Sequence, residues 1–456
     1  MFGQVASPGL DLLQGGISSR ARKPKAAHAP EIARPDWAAN AASSVQVPVF
    51  PEQAGPHNRE NQTQEGTMNA NEQPATERLM TVRFTASGSE YFRIWIVNLL
   101  LTVVTLGFYL PFAKARRLRY FYANTLVDGQ PLAFHGDAWK MFRGYVLMLI
   151  IFGAYALSSY VSNWVSLGAF VVLAVLWPAL WRSSLMFRLG NTSWRGLRMG
   201  FEGTLGDAYR AMLPLFVPGL LILAVTAWYM TGVDPKDEPA VKAANESMLP
   251  YMGEATLLLL AALTPWAMWR IKRYQHGGYR YAQEAARFSS RAGSFYLLGL
   301  KLLLAGVLAL AVLGVGAGMA FAMMKPGQTG LTVHAVALYV PLALLAWIAF
   351  SWLTALAAAG LQNLAWNHTQ SPQLRFSSAL RVRTLTWLKI KNMLLVIVTL
   401  GLYRPFAVVS VARLHLQAVE AHTSSDVDAW LAHAGTSAGT GSGEMSGDFF
   451  GIDVGL

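Results

Sequence analysis

Cysteine is absent from the 456 residues, which excludes disulfides, thiolate nucleophiles and Cys-based zinc or iron–sulfur sites. It says nothing about compartment. Charge is scarce as well. Only 14% of the residues are charged, against about 25% in soluble domains. With 54% apolar residues and 15 Trp, the chain falls in the membrane class. Acidic side chains are the scarcest, 25 Asp and Glu against 37 Lys and Arg, for a net charge of +12. In a nucleic-acid-binding protein this excess would lie on one face of a soluble domain. Here it lies in short loops between apolar runs, which points to membrane orientation. Enzyme signatures are missing too: the nine His are scattered, and there is no H-E-x-x-H, P-loop or G-x-S-x-G. The chain is therefore read as a non-enzyme with no catalytic residue, metal site or cofactor, and without nucleic-acid binding.

Residues 1–80 contain no run long enough to build a core and are rich in Ala, Pro, Gln, Asn and Glu. They are expected to be a disordered tail. They lack the apolar region of a secretory signal peptide, and Met68 and Met80 are alternative starts that would make part of the tail a gene-model artefact. Residues 421–456 are expected to be a second disordered tail, leaving 81–420 as the membrane domain.

What the chain has in abundance is long apolar runs. The stretch FRIWIVNLLLTVVTLGFYLPFAKARRLRYFYANT, residues 92–125, has a C-terminal twin, NMLLVIVTLGLYRPFAVV, from Asn392. Asn98, Thr105, Gly107, Tyr109 and Pro111 recur at Asn392, Thr399, Gly401, Tyr403 and Pro405, each offset by 294. Between the twins lie three apolar stretches. Gly144 to Trp181 spans 38 residues, about 57 Å as helix, far more than the roughly 30 Å hydrocarbon core. It must turn, and Ser158, Ser159, Ser162 and Asn163 mark the place. Ala211 to Trp269 is split by the Pro-containing charged segment 232–247, and Phe295 to Gly360 by 323–330. Three helical hairpins result.

Their spacing repeats. Pro111, Pro178 and Pro265 are each followed 23 residues on by Phe134, Phe201 and Phe288, and Asn124-Thr125 and Asn191-Thr192 begin 13 residues after the first two prolines. Gly278 takes that place in the third unit, and Asn367 and Phe376 stand one residue closer together in the fourth. An internal repeat is expected. Loops 111–143, 182–210, 270–291 and 361–391 hold 22 of the 37 Lys and Arg, which places them in the cytoplasm beside anionic lipid headgroups. The terminal twins have two readings. As single crossings they give about eight transmembrane helices, the preferred count, because 19 apolar residues suffice. As re-entrant segments broken at Thr105-Leu106-Gly107 and Thr399-Leu400-Gly401 they give six. The fold class expected is an all-α polytopic membrane protein of repeated helical hairpins.

With these residues in view, the chain resembles the YjgN-like family of bacterial inner-membrane proteins. The resemblance rests on Phe84, Gly88, Tyr91 and Phe92 with NLLLTVVTLGFYLPFAKARRLRYFYANT after them, on Asn191-Thr192 and Phe201-x-Gly203, and on VTLGLYRPFA near the C-terminus. It implies a multi-pass inner-membrane protein of bacteria and no particular activity.

Two groups of residues are candidates for function. Asn98, Thr105 and Tyr109, and again Asn392, Thr399 and Tyr403, fall on one stripe of a continuous helix and would line a polar path or join packed helices. Glu254 and Lys301 are ionisable residues inside predicted spans, although Lys301 lies close enough to an end to snorkel. His135, Asp137 and Asp207 read as polar loop positions. The functional expectation is a transporter or channel for a small solute, with a structural or assembly protein of the envelope as the alternative.

Overall fold

The computed structural model describes residues 78–231, 237–282, 284–322 and 333–423. Both expected tails lie outside these residues except for 78–80 and 421–423, which belong to strands. Strand β1 (Arg78–Phe84) leads into α1 (Gly88–Val104), which turns and returns as α2 (Leu110–Ala123) into β2 (Thr125–Val127). The pattern recurs: β3 (Gln130–Phe134), α3 (Ala138–Ser158), α4 (Asn163–Gly190), β4 (Thr192–Trp194); then β5 (Leu197–Phe201), α5 (Leu205–Met230), α6 (Glu238–Gly277), β6 (Tyr279–Tyr281) and β7 (Glu284–Ala285). It continues with β8 (Arg287–Phe288), α7 (Ala292–Ala322), α8 (Val333–Trp366), β9 (Thr369–Gln370), and ends with β10 (Leu374–Ser378), α9 (Val382–Val398), α10 (Arg404–Gln417) and β11 (Val419–Thr423).

The all-α expectation is corrected: the helical hairpins stand on an eleven-stranded antiparallel sheet in the order β7-β6-β5-β4-β3-β2-β1-β11-β10-β9-β8. Chain order runs around the sheet, β1 pairs with β11, and the two end strands are separated in sequence only by Ala286. The strands thus form a nearly closed circuit. The helices follow it, each packing on its chain neighbours and α10 on α1. Two-residue turns with positive φ, Asp128-Gly129 (50° and 76°) and Arg195-Gly196 (47° and 81°), join β2 to β3 and β4 to β5, as the right-handed strand twist favours. Asp128 then accepts hydrogen bonds from Arg78 at 3.0 Å and Arg195 at 2.8 Å.

The inside of the circuit is filled. Met80, Trp194 and Ala421 are buried together, with Val127, Leu132, Met199, Tyr281, Leu374 and Phe376 packed on them. Side chains from eight of the eleven strands therefore meet in one apolar core. Trp194 donates to the Val127 carbonyl at 3.2 Å, and Tyr281 to the Trp194 carbonyl at 2.9 Å, so neither large polar aromatic is left unsatisfied.

Local chemistry explains the recurring Phe and Asn-Thr positions. The residue after each strand donates its backbone N–H to the carbonyl at the end of the same helical hairpin: Thr85 to Asn124, His135 to Asn191, Glu202 to Gly278, Ser289 to His368 and Ala379 to Ala418, at 2.8 to 3.0 Å. Each hairpin is thereby fastened at its foot, and entry and exit lie side by side. The fourth and fifth bonds show that His368 and Ser378, not Asn367 and Phe376, hold the positions of the earlier Asn and Phe, ten residues apart as in the first two units, which accounts for the short spacing read from sequence. Asn124 and Asn191 cap their helices by donating to the carbonyls four residues back, both at 2.8 Å, while Thr125, Thr192 and Thr369 donate in the same way at 2.7 to 2.8 Å. Phe134 and Phe201 fold back so closely that a Cβ on Gly136 or Gly203 would stand 2.4 and 2.5 Å from their rings.

A second set of bonds runs from each hairpin to the next. Arg119 donates to the Gly136 carbonyl (2.8 Å), Arg182 to Gly203 (2.7 Å), Trp269 to Ser290 (2.9 Å), Asn363 to Leu380 (3.0 Å) and Arg413 back to Ala86 (2.7 Å). The last contact spans 327 residues and closes the circuit. Burial concentrates at this level, as in the Trp181, Leu185, Met212 and Tyr274 cluster; farther along the helices large apolar side chains such as Leu304, Leu310 and Phe321 are exposed.

Among the described residues five helical segments are long and apolar enough to cross a membrane: Ala138–Ser158, Trp164–Gly190, Leu205–Val225, Ala292–Met319 and Tyr339–Trp366. The α3–α4 turn falls where the serines predicted it. The segment 232–247 is helical from Glu238, not a loop throughout: its charges argue against a span but not against a helix, and Pro239 sits in the first turn, where its missing N–H is harmless. Residues 232–236 and 323–332 lie outside the described residues.

Replacing Arg413 by Ala is expected to destabilise the folded protein by about 1–3 kcal/mol, because the Ala86 carbonyl loses its charged donor in a buried setting. Thermal melting of the purified protein in nanodiscs checks this, with Arg413→Lys expected to fall between the two.

Candidate functional site

The α1–α2 connection is the first departure from the predicted stripe. Leu106 and Gly107 adopt φ of 49° and 94°, and Leu400 and Gly401 the same pair of values. The helix therefore stops at Thr105 and Thr399, and Asn98, Thr105 and Tyr109 do not share one continuous helix. The threonines build the turn. The Thr105 hydroxyl donates to the Leu101 carbonyl at 2.7 Å and accepts from the Tyr109 N–H at 3.0 Å; Thr399 repeats this with Leu395 (2.7 Å) and Tyr403 (2.9 Å). Tyr109 stacks on Phe112 and Tyr403 on Phe406. Thr-Leu-Gly-x-Tyr-x-Pro thus encodes a helix reversal, with Pro111 and Pro405 in the first turn of the returning helix.

The two asparagines serve their own hairpins. Asn98 accepts a 3.4 Å hydrogen bond from Arg116, whereas Asn392 donates to the Ser410 hydroxyl at 3.0 Å and to the Ala407 carbonyl at 3.4 Å. Glu254 and Lys301 lie on exposed faces of α6 and α7, and neither lines the cavity described below. Asp137 and Thr204 are N-caps; the Thr204 hydroxyl accepts from the Asp207 N–H at 3.1 Å and donates to the Asp207 carboxylate at 2.7 Å.

The structure brings a different set together. A cavity of about 790 Å³ is bounded by α1, α2, α3, α4 and α10. Lys114, Arg117 and Arg404 line it beside Asn98 and Thr102, and its remaining wall is largely aromatic and aliphatic, including Trp95, Leu99, Tyr145, Phe152 and Trp177. No carboxylate is among its lining residues. The cations stand at different heights above the strands. At 1.5 Å per residue, Arg117 is about 9 Å, Lys114 about 14 Å and Arg404 about 20 Å from the strand-side ends of their helices. Of the sequence candidates only Asn98 lines this cleft. Arg404 was legible as a contrast between the twins, since the first carries Leu110 at the matching position. A second cavity, about 660 Å³ between α5, α6 and the strands, holds Arg210, Arg270, Arg273 and Arg287 together with Glu202 and Asp207. Its charges are partly compensated, Arg210 pairing with Asp207 at 3.0 Å and Arg280 with Glu202, so it is the weaker candidate for an ion or solute.

At the level of the strands, His276 is buried against Tyr279, Phe288 and Trp366, its Nδ1 2.8 Å from the Thr369 hydroxyl. Burial, with Lys272 nearby, pushes its imidazole down to about 3. His415, 2.5 Å from the Gln362 side chain, is lowered in the same direction by burial and then Lys389.

A strand circuit carrying helices able to cross a bilayer, with a cationic cleft among them, defines a multi-pass helical membrane protein. Residues 80–449 match the family described as bacterial protein of unknown function, DUF898, and the chain belongs to that family. It is 33% identical over 147 residues to inner membrane protein YjgN of Salmonella typhimurium, covering 32% of this chain and 36% of that one. It is 30% identical over 145 residues to the proteins of the same name from Escherichia coli O157:H7 and K12, covering 31% and 35%. The chain thus aligns with about a third of the length of these relatives. No solved structure matches it. The localisation read from sequence stands: this is a protein of the bacterial inner membrane.

His276 is neutral when folded and protonates readily once unfolded. The unfolded chain therefore binds more protons between about pH 6.5 and 3, and stability falls as the pH drops through that window and is level above it. Melting temperatures between pH 4.5 and 8 measure this; His276→Gln, which keeps a partner for Thr369, is expected to flatten the acid side of the curve.

Proposed function

We propose that the protein is a carrier of an anionic solute, with the cleft between α1, α2, α3, α4 and α10 as its binding site. The observation that carries this reading is the series Arg117, Lys114 and Arg404 at rising heights in a cleft without a lining carboxylate. Ionisable groups at membrane depth are costly and mark substrate paths, and interrupted helices in membrane proteins are tolerated where they line a cavity or are buried in protein. The alternative, a structural or assembly protein of the envelope, draws support from the apolar core inside the strands, which blocks an axial pore.

The membrane arrangement belongs to the same proposal. Helices α3 to α8 cross the bilayer, six in all, while α1–α2 and α9–α10 dip in and return. These hairpins have 17- and 14-residue arms, about 26 and 21 Å long, too short to span. Their feet are fastened beside those of the crossing hairpins. The positive-inside rule then puts the strands in the cytoplasm, the basic helix feet next to anionic headgroups, and five copies of one strand–hairpin–strand unit around the circuit.

Because the chain has no native Cys, topology is directly testable. Arg195→Cys and Arg280→Cys should be labelled by an impermeant thiol reagent only after the membrane is opened, and Tyr160→Cys in the α3–α4 turn from outside intact spheroplasts. Labelling of Arg195→Cys and Arg280→Cys on opposite faces would remove the architecture. For the carrier itself, flux into proteoliposomes across a panel of anions should drop at least tenfold in Arg404→Ala and Lys114→Ala, with melting temperature unchanged. A purified protein that moves no anion, yet co-purifies with a stoichiometric envelope protein, would favour the alternative.

A further inference from the structure

We infer that the occupant of the cleft is a membrane lipid with an anionic phosphate headgroup, entering sideways from the bilayer. The inference rests on the cationic cleft being a binding site and specifies its ligand. Three observations support it, and the first is the cleft's two-sided chemistry. Lys114, Arg117 and Arg404 face a wall of Trp95, Leu99, Phe152 and Trp177. A small hydrated anion matches the cations and gains nothing from that wall, whereas an amphiphile matches both.

The second observation concerns access. From the strand side, the route along the axis is filled by Met80, Trp194, Tyr281 and their neighbours. From the membrane side, the helix circuit is uneven in height. The arms of α1–α2 end about 26 Å above the strands, while α3, with 21 residues, reaches about 32 Å, and α7 and α8, with 31 and 34, about 47 and 51 Å. Among the described residues no helix continues the row between α3 and α8 beyond the short hairpins. The cleft-lining residues Leu99, Leu110 and Phe152 are themselves exposed, so the mouth is apolar and turned toward lipid. Acyl chains can reach it without crossing water.

The third is the hairpin tips. Leu106 is 89% exposed and Leu400 94%, flanked by exposed Val104, Phe108, Val398 and Leu402. Burying such tips in hydrocarbon is favourable, which would set the cleft beside them at acyl-chain depth. The headgroup would then meet Arg404, Lys114 and Arg117 in turn, by charge-assisted hydrogen bonds to its phosphate oxygens.

Native mass spectrometry of the full chain released from nanodiscs containing phosphatidylglycerol and phosphatidylcholine tests this. One phosphatidylglycerol per chain should be retained in preference to phosphatidylcholine, and retention should fall at least tenfold in the double variant Lys114→Ala/Arg404→Ala while Arg404→Lys keeps most of it. Leu110→Trp, which narrows the mouth without touching a cation, should also reduce lipid retention. Inorganic phosphate, measured by calorimetry on the same preparations, is expected to bind weakly and not to displace the lipid. Tight phosphate binding that is abolished in the double variant, without lipid retention, would overturn the lipid assignment and leave the cationic site standing. Failure of both ligands to bind a folded, melting-competent protein would overturn the site itself.

Discussion

Five side chains, each reaching from the second helix of one hairpin to a carbonyl in front of the next, hold the molecule in register. Arg119, Arg182, Trp269, Asn363 and Arg413 are chemically unlike and sit at different distances from their helix ends, yet all reach the same kind of acceptor. The acceptors are carbonyls that precede helix starts and have no strand partner, so they need a donor from elsewhere. Supplying that donor from the neighbouring hairpin converts a local requirement into a link between units. Since the fifth link returns to the first hairpin, no unit has a free side at this level. The helices above pack on their chain neighbours and expose large apolar side chains on their outer faces, with their spacing set at the foot.

Much of this was legible in the chain. The serines at 158–162 marked a turn because a 38-residue apolar run cannot cross once. The Pro-to-Phe spacing was read as a repeat before its meaning was visible. It counts from a helical proline to the last residue of a strand, passing through the Asn or Gly whose carbonyl receives the foot bond. The strands were overlooked, although Asp128-Gly129 between TLV and QPLAF is a strong hairpin signal. Strands of two to seven residues vanish in windows long enough to find membrane helices, and their alternation is blurred because the inward face is crowded by aromatics such as Trp194 and Tyr281. The polar stripe misled for a physical reason: a 100° periodicity holds only while the helix continues, and Leu106 and Gly107 in the left-handed region end it. The cationic cleft was out of reach because it assembles α2 with α10, nearly 300 residues away, and no spacing rule connects them.

The cleft and the plugged strands divide the molecule by polarity. Toward the strands, hydrogen bonds and buried aromatics dominate, and neutral His276 sits against Thr369 without an acidic partner. Among the helices, α2 and α10 bring Lys114, Arg117 and Arg404 together in one cavity wall with no lining carboxylate. The two short hairpins supply that wall, and their tip residues Leu106 and Leu400 are highly exposed. Both features follow from the pair of helix reversals at Thr105 and Thr399.

The pairing of Arg78, Leu79, Met80 and Thr81 with Thr423, His422, Ala421 and Glu420 has a consequence for biogenesis. During synthesis the outer edge of β1 stays bare while more than three hundred residues, including every long apolar helix, are threaded into the bilayer. An uncovered strand edge is an invitation to pair with a stranger. Two nascent copies side by side would therefore be expected to exchange β11 unless insertion outpaces their encounter, and a chaperone that shields this edge would act on β1 until β11 arrives.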